Sequence, residues 1–255
     1  MLANRRSLKS RYIAFCLGCI VVIGILQTLF LKLVEWVPSF SPLLFPTLTI
    51  FLLVFHLFIA CFMAMKYWCD RKRLYLVAFA FAFAGSALLM VGTLSSFPAW
   101  LDLYQFNVVN YNDAMIYYMF RHLIMAVLII VAAILYTMRN SPISRLAHIA
   151  IVSGEFLFTV CAVGLAWFYS SHSQLLSIDL VDNETRQFMV LWSQFINIAL
   201  IALWVVTLAT LMFITRVRNL FWVGGNFLCV CYIVTLSMLL MGGHAEGISW
   251  YRARL

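Results

Sequence analysis

The feature that most constrains this chain is a series of long apolar runs separated by short polar loops. The runs lie near residues 12–34, 43–66, 74–94, 115–138, 147–169, 188–214 and 219–241. Each is close to the roughly 20 apolar residues with which a helix crosses a bilayer. Because unpaired backbone amides are very unfavourable in hydrocarbon, runs this continuous are expected to cross the membrane as helices.

The composition agrees with a protein that lies almost wholly in the membrane. Hydrophobic residues make up 65% of the chain and charged residues 10%, whereas a soluble domain carries about 25% charged residues. The net charge of +8 does not indicate nucleic acid, because the basic residues lie in short loops rather than on one face of a folded domain. We therefore predict one all-α integral membrane domain over residues 1–255, with membrane lipid as a partner and no nucleic acid.

Loop charge predicts how the helices are oriented. Alternate loops carry most of the basic residues, namely Arg5, Arg6, Lys9, Arg11, Lys66, Arg71, Lys72, Arg73, Arg139, Arg145, Arg216 and Arg218. The opposite loops hold mainly acids, namely Glu35, Asp102, Asp113, Asp179, Asp182, Glu184 and Glu246. Because basic loops stay in the cytoplasm, the pattern predicts a multi-pass protein of the bacterial inner membrane with a cytoplasmic N-terminus.

Two parts of the chain repeat the same order of elements: a basic loop, an apolar span, L-L-M-x-G, an outward loop, and an aromatic pair followed by arginine. The first part has Leu88–Gly92 and then Tyr117, Tyr118 and Arg121. The second part has Leu239–Gly243 and then Trp250, Tyr251 and Arg254. This order predicts a tandem repeat of two four-helix units with the same orientation. We expect seven full transmembrane helices and the start of an eighth from about residue 247.

Ionisable residues within the spans are candidate functional residues, because each costs about 2.5–3.5 kcal/mol at the centre of an inserted helix. Arg121 has two interpretations. Its side chain could snorkel to the outer headgroups, or it could line an outward-facing pocket for an anionic or polar ligand, with aromatic rings as walls. The pocket would comprise Tyr117, Tyr118, Arg121, His122, Trp250, Tyr251 and Arg254.

The other polar residues within the spans are expected to hold helices together. Glu155 is expected to pair with a donor on a neighbouring helix, and a proton relay is the alternative. Hydrogen bonds between helices are expected from His56, Ser193, Gln194, Asn197 and Asn226, and close helix packing at Gly85-Ser86 and Gly224-Gly225. No metal site and no catalytic motif is expected.

The span count and the [YW]-Y-x-x-R elements make the chain similar to a known family. It resembles the membrane-associated sensor (MASE) domains, of the eight-helix type, that precede diguanylate cyclase domains in enterobacterial signalling proteins. The resemblance is carried by Asn112–Arg121 and by Ser249–Arg254. It implies an input module that passes a signal through its last helix to a cytoplasmic GGDEF domain, which condenses two GTP molecules into cyclic di-GMP.

No GGDEF residues occur in the chain, so it is expected to be a truncated protein that is not an enzyme and has no cofactor of its own. GTP and Mg²⁺ would belong to the missing catalytic domain. The remaining expected partners are a small ligand of unknown identity and a second copy of the chain in a homodimer. The alternative function is a small transporter or permease subunit, for which discontinuous spans with charges at the membrane midplane would be expected.

Overall fold

The computed structural model describes residues 44–97, 109–173, 176, 178–215 and 219–241, together with residues 17, 18, 21, 24 and 25. These form six long helices: α1 Leu44–Cys69, α2 Tyr75–Ser95, α3 Tyr111–Thr137, α4 Arg145–Tyr169, α5 Leu191–Thr215 and α6 Leu220–Met241. Each is long and apolar enough to cross a membrane. Helix α5 begins with a π-helical turn, Leu191–Ile196.

The predicted all-helical membrane fold is confirmed for the part of the chain that the structure describes. Within it no strand occurs apart from an isolated bridge between Val181 and Phe188. The helix ends agree with the predicted spans to within a few residues. The span predicted near 12–34 lies outside the described residues, apart from the five single positions, and so does the start of the eighth.

Short polar side chains cap the N-terminal ends of two helices. The side chain of Asn110 accepts a hydrogen bond from the backbone N–H of Asp113 (3.0 Å) at the start of α3. The hydroxyl of Ser144 accepts one from the backbone N–H of Ala147 (3.2 Å) at the start of α4. Such caps satisfy backbone donors that have no partner within the helix.

Helices α2 and α3 form the centre of the bundle. In each, 67% of the most apolar segment is buried inside the protein, against 22–28% in the other four helices. Helix α2 packs against α1, α3 and α4, helix α3 also contacts α4 and α5, and α5 packs against α6. The candidate site residues of α3 therefore face protein on most sides rather than lipid.

Close packing occurs at one of the two predicted glycine pairs. A Cβ atom on Gly85 would lie 2.8 Å from Cγ2 of Thr159 and 3.1 Å from Cγ2 of Ile124, so α2 approaches both α4 and α3 here. At Gly224 a Cβ would meet nothing within 4 Å, and at Gly225 the nearest atom would be 3.7 Å away. The prediction is confirmed at Gly85 and wrong at Gly224-Gly225.

Of the predicted hydrogen bonds between helices, the one at Asn197 is confirmed. Its Nδ2 donates to the carbonyl oxygen of Leu236 (3.1 Å) and so joins α5 to α6. Ser193 and Asn226 instead donate to carbonyl oxygens four residues earlier in the chain, and Nδ1 of His56 contacts the carbonyl oxygen of Leu52 in its own helix. A local carbonyl satisfies these groups without help from a second helix.

Candidate functional site

The N-terminal end of α3 is tied to the loop between α4 and α5. Asp113 is 2% exposed, and its carboxylate accepts hydrogen bonds from the backbone N–H (2.9 Å) and the hydroxyl (2.5 Å) of Ser171. Sequence analysis assigned Asp113 to a loop. The structure places it in the first turn of the helix, where a negative charge is also favourable to the helix dipole.

Asn112 holds a second part of the same loop. Its Nδ2 donates to the carbonyl oxygen of Ile178 (2.8 Å), and its Oδ1 accepts from the backbone N–H groups of Leu180 (2.7 Å) and Val181 (3.2 Å). One amide side chain thus satisfies three backbone groups of the loop. The loop is therefore fastened to α3 at two points.

The far half of this loop is a tight turn. Asp182 accepts from the hydroxyl of Thr185 (2.6 Å) and from the backbone N–H of Glu184 (3.0 Å), and these bonds lower the pKa of the Asp182 carboxyl. Arg186 adopts a left-handed conformation with φ of 58°, and its guanidinium lies 5.6 Å from the ring centroid of Tyr111 on α3. The turn therefore also contacts the first residue of α3.

The two adjacent tyrosines of α3 lie in different environments. A Cβ on Gly92 would lie 2.7 Å from the Tyr117 ring, so Tyr117 packs directly on α2, and its hydroxyl donates to Oγ of Ser170 (3.2 Å). Tyr118 instead faces Trp192 of α5, with ring centroids 6.2 Å apart. Consecutive helical residues point about 100° apart. The structure therefore does not bring Tyr117 into the group around Tyr118.

Tyr118 belongs to a buried aromatic cluster that joins three helices. We define this aromatic cluster as Tyr118, His122, Trp192, Trp204 and Tyr232. Adjacent ring centroids within it lie between 4.4 and 6.2 Å apart. Nε1 of Trp204 donates to Nδ1 of His122 (3.0 Å), so Nδ1 is the acceptor in this contact. Sequence analysis predicted the α3 members and missed those on α5 and α6.

Arg121 extends from this cluster and is 8% exposed. Its Cζ lies 4.9 Å from the centroid of the Tyr118 ring, and it interacts electrostatically with His56 of α1 and Tyr232 of α6. Among the described residues its Nε has no hydrogen-bond acceptor and its guanidinium forms no ion pair. Burial of this side chain contradicts snorkelling to lipid headgroups, and a buried charge without a counter-charge is costly.

The π-helical turn of α5 brings a second unsatisfied donor to the cluster. Trp192 lies in this turn and is fully buried, and its Nε1 has no acceptor within the described part of the chain. Phe188 of the preceding loop contacts the Trp192 ring at 6.3 Å between centroids. Single π-helical turns occur frequently at functional sites. Arg121 and Trp192 therefore supply two buried donors beside Tyr118.

The other predicted site residues lie apart from this group or outside the described residues. Glu155 is 5% exposed on α4, and neither of its carboxylate oxygens has a donor in the described segments, so the predicted pairing with an interhelical donor is not found there. The ring of His56 packs 5.2 Å from that of Phe83. Trp250, Tyr251 and Arg254 fall beyond the last described position. The described residues contain no group of three or more metal-ligating side chains.

Comparison with known proteins gives one family and one relative. Residues 39–255 match MASE4, described as "Membrane-associated sensor, integral membrane domain". The chain is 23% identical over 195 residues to the probable diguanylate cyclase DgcT of Escherichia coli strain K12, an alignment that covers 76% of this chain and 43% of DgcT. The chain thus corresponds to less than half of DgcT. No solved structure shows a significant match.

The family match confirms the resemblance inferred from the aromatic–arginine elements. The matched region is a membrane sensory input domain with six described membrane-spanning helices, and it contains no catalytic domain. The function of this region is therefore sensory. The chain belongs to the MASE4 family of membrane-associated sensor domains.

Proposed function

We propose that this chain is the input domain of a diguanylate cyclase-type signalling protein and that it binds an anionic or polar ligand at Arg121 beside the aromatic cluster. The observation that carries the ligand site is the buried guanidinium of Arg121, which has no counter-charge among the described residues. The name of the relative DgcT supports the cyclase activity of the parent protein. GTP and Mg²⁺ would bind the catalytic domain of that parent, not this chain.

The contacts of the cluster offer a route for the signal. A ligand that pairs with Arg121 competes with the contact between its guanidinium and the Tyr118 ring. Tyr118 touches His122, which contacts Trp204 of α5 and Tyr232 of α6. Changes at Arg121 thus reach α6, the last described helix. The repeat extends the proposed ligand site to Trp250, Tyr251 and Arg254.

This proposal is tested by cyclic di-GMP output in the full-length homologous protein. We expect Arg121→Leu to change the output several-fold while abundance and membrane insertion stay the same, and Arg121→Lys to have a smaller effect. Tyr118→Ala and Trp192→Phe should change the output in the same direction. The physical reason is that each variant removes a donor or a ring from the same buried group.

Arg139 provides the matched control. Its Cζ lies 4.1 Å from the ring of Tyr136, three residues earlier on α3, as Arg121 lies over Tyr118, but it is exposed and outside the cluster. Arg139→Leu should leave the output unchanged. If Arg121→Leu inserts, accumulates and signals like the parent protein, the ligand site is not at Arg121.

The proposed topology is seven full spans and an eighth that begins near residue 247, with the N-terminus in the cytoplasm of a bacterial cell and the spans in its inner membrane. Charge supports it. Lys66, Arg71, Lys72 and Arg73 lie around the α1–α2 loop, and Arg139 and Arg145 around the α3–α4 loop. Because successive spans reverse direction, these two basic loops lie on the same side of the membrane. The positive-inside rule predicts that this side is the cytoplasm.

Reporter fusions test this topology directly. Fusions near Arg71, Ser141 and Arg218 are expected to read as cytoplasmic, and fusions near Asp102, Asp179 and Glu246 as periplasmic. The expectation follows from the excess of Lys and Arg in the first set of loops. An inverted pattern, or two consecutive loops on the same side, would contradict the orientation and the number of spans.

A further inference from the structure

Glu155 lies on α4, apart from the aromatic cluster, and the signalling proposal gives it no role. It is ten residues from the start of α4, about 15 Å along a helix that rises 1.5 Å per residue. One turn further, Thr159 meets α2 at Gly85, and the Thr159 hydroxyl donates to the backbone carbonyl of Glu155 (2.9 Å). The Glu155 side chain is 5% exposed. It is therefore enclosed by protein at membrane depth.

Within the described part of the chain, neither carboxylate oxygen of Glu155 has a hydrogen-bond donor, and no cation forms an ion pair with the group. In such surroundings an ionised carboxylate loses its hydration, and no hydrogen bond replaces it. Burial of the neutral acid costs much less free energy. These surroundings therefore suit the protonated carboxyl group of Glu155 better than the carboxylate. This property distinguishes it from a structural acid such as Asp113, whose carboxylate is satisfied by Ser171.

A pair of titratable groups leads from the basic loops toward Glu155. The hydroxyl of Tyr67, near the end of α1, bonds to Nε2 of His148, near the start of α4 (2.5 Å), and the two rings stack 5.9 Å apart. Tyr67 also interacts electrostatically with Glu155 and with Arg71 of the α1–α2 loop. His148 and Glu155 are seven residues apart, so they lie on the same side of α4.

The other helices that pack on α4 carry their titratable groups elsewhere. On α2 the described titratable residue is Tyr75, at the helix start, where its ring meets that of Tyr136 at the end of α3. Arg121 and His122 of α3 belong to the group around Tyr118. Beside Glu155, α2 contributes Phe81, whose ring contacts that of Phe156 at 6.0 Å. Among the described residues, Tyr67 and His148 are thus the titratable groups placed to exchange a proton with Glu155.

We propose that Glu155 is a proton-binding site that exchanges protons with the side of the membrane on which the basic loops lie, through His148 and Tyr67. In uptake, the imidazolium of His148 loses a proton and an O–H bond forms on one carboxylate oxygen of Glu155, so both groups become neutral. The Tyr67 hydroxyl passes one proton on and receives another, and is unchanged. Water on the side of the basic loops then returns a proton to His148. The ligand of this site is the proton itself, and its binding is independent of Arg121.

Infrared spectroscopy of the 255-residue chain in lipid vesicles tests the site. The chain has only nine Asp and Glu residues, so a band from a protonated carboxyl group can be assigned by substitution. At neutral pH we expect such a band in the unsubstituted chain, its loss in Glu155→Gln, and a shifted band in Glu155→Asp. Asp182→Asn, which changes a half-buried acid of the α4–α5 loop, should leave the band as it is.

The route is tested by how fast this band shifts when the vesicles are transferred to heavy water. Tyr67→Phe and His148→Gln should keep the band but slow its exchange several-fold. If the unsubstituted chain and Glu155→Gln give the same carboxyl spectrum, Glu155 binds no proton at neutral pH and the proposal fails. If neither Tyr67→Phe nor His148→Gln slows the exchange, the proposed route is wrong.

Discussion

Replacing Gly92 with alanine is expected to destabilise the membrane domain by about 1–3 kcal/mol, the usual cost of overfilling a packed interior. The new methyl group would lie 2.7–2.8 Å from three atoms of the Tyr117 ring. That ring cannot move aside freely, because it is buried and its hydroxyl is bonded to Ser170. The measurement is the thermal unfolding midpoint in detergent, followed by circular dichroism.

Gly224 gives a matched control for this substitution. It also lies within a helix, but an added Cβ would meet nothing within 4 Å. Gly224→Ala should therefore be neutral or stabilising, because alanine is favoured over glycine in a helix by roughly 0.5–1 kcal/mol. In a Tyr117→Ala background, the effect of Gly92→Ala should largely disappear. Equal shifts for Gly92→Ala and Gly224→Ala would contradict the close contact between α2 and α3.

This contact links the two sequence elements that define the repeat. Gly92 ends the L-L-M-x-G element, and Tyr117 begins the aromatic–arginine element of the first unit. The glycine leaves room for the Tyr117 ring to pack on α2. The second ring, Tyr118, faces Arg121.

The second large effect is expected at Asp113. Asp113→Ala removes two hydrogen bonds to Ser171, and a hydrogen bond to a charged group contributes about 1.5–3 kcal/mol. The part of the loop around Ser171 should then loosen from α3, while Asn112 still holds the part around Leu180. We expect amide hydrogen exchange at Ser171 and its neighbours to rise by about tenfold or more, since about 1.4 kcal/mol corresponds to a factor of ten. Mass spectrometry of the chain in detergent measures this exchange.

Asp182→Ala is the control for Asp113→Ala. Asp182 lies in the same loop, but its bonds are to Thr185 and Glu184 within the turn, so it does not connect the loop to α3. Its substitution should raise exchange only within the turn. If Asp113→Ala leaves the exchange of Ser171 and its neighbours as it was, the tie between loop and helix contributes little to the stability of the domain.

The loop also contacts α3 at one end and the aromatic cluster at the other. At one end Ser170 accepts a hydrogen bond from Tyr117, next to Tyr118, and at the other Phe188 contacts Trp192. Loosening the loop at Asp113 should therefore disturb the aromatic cluster as well. The loop is therefore in direct contact with both α3 and α5.

The sequence alone was sufficient to predict the membrane helices and the family. Hydropathy is a property of each segment by itself, so the spans over residues 44–241 could be located from their apolar composition without knowledge of any contact. An ionisable residue within an apolar run is conspicuous for the same reason, which is how Arg121 and Glu155 were identified. The aromatic–arginine elements carried the family resemblance that the match over residues 39–255 confirmed.

Only the tertiary structure decided which side of each helix meets another helix. Helices that are apolar on every side carry no periodic signal, because lipid is as apolar as the protein interior. Sequence therefore could not distinguish Gly85, where helices touch, from Gly224, where an added Cβ would meet nothing within 4 Å among the described residues. Nor could sequence show that Trp192, Trp204 and Tyr232 meet Tyr118, or that the carboxylate of Glu155 has no donor among the described residues. Those relations depend on the rotation and pairing of helices, which many contacts distant in sequence set together.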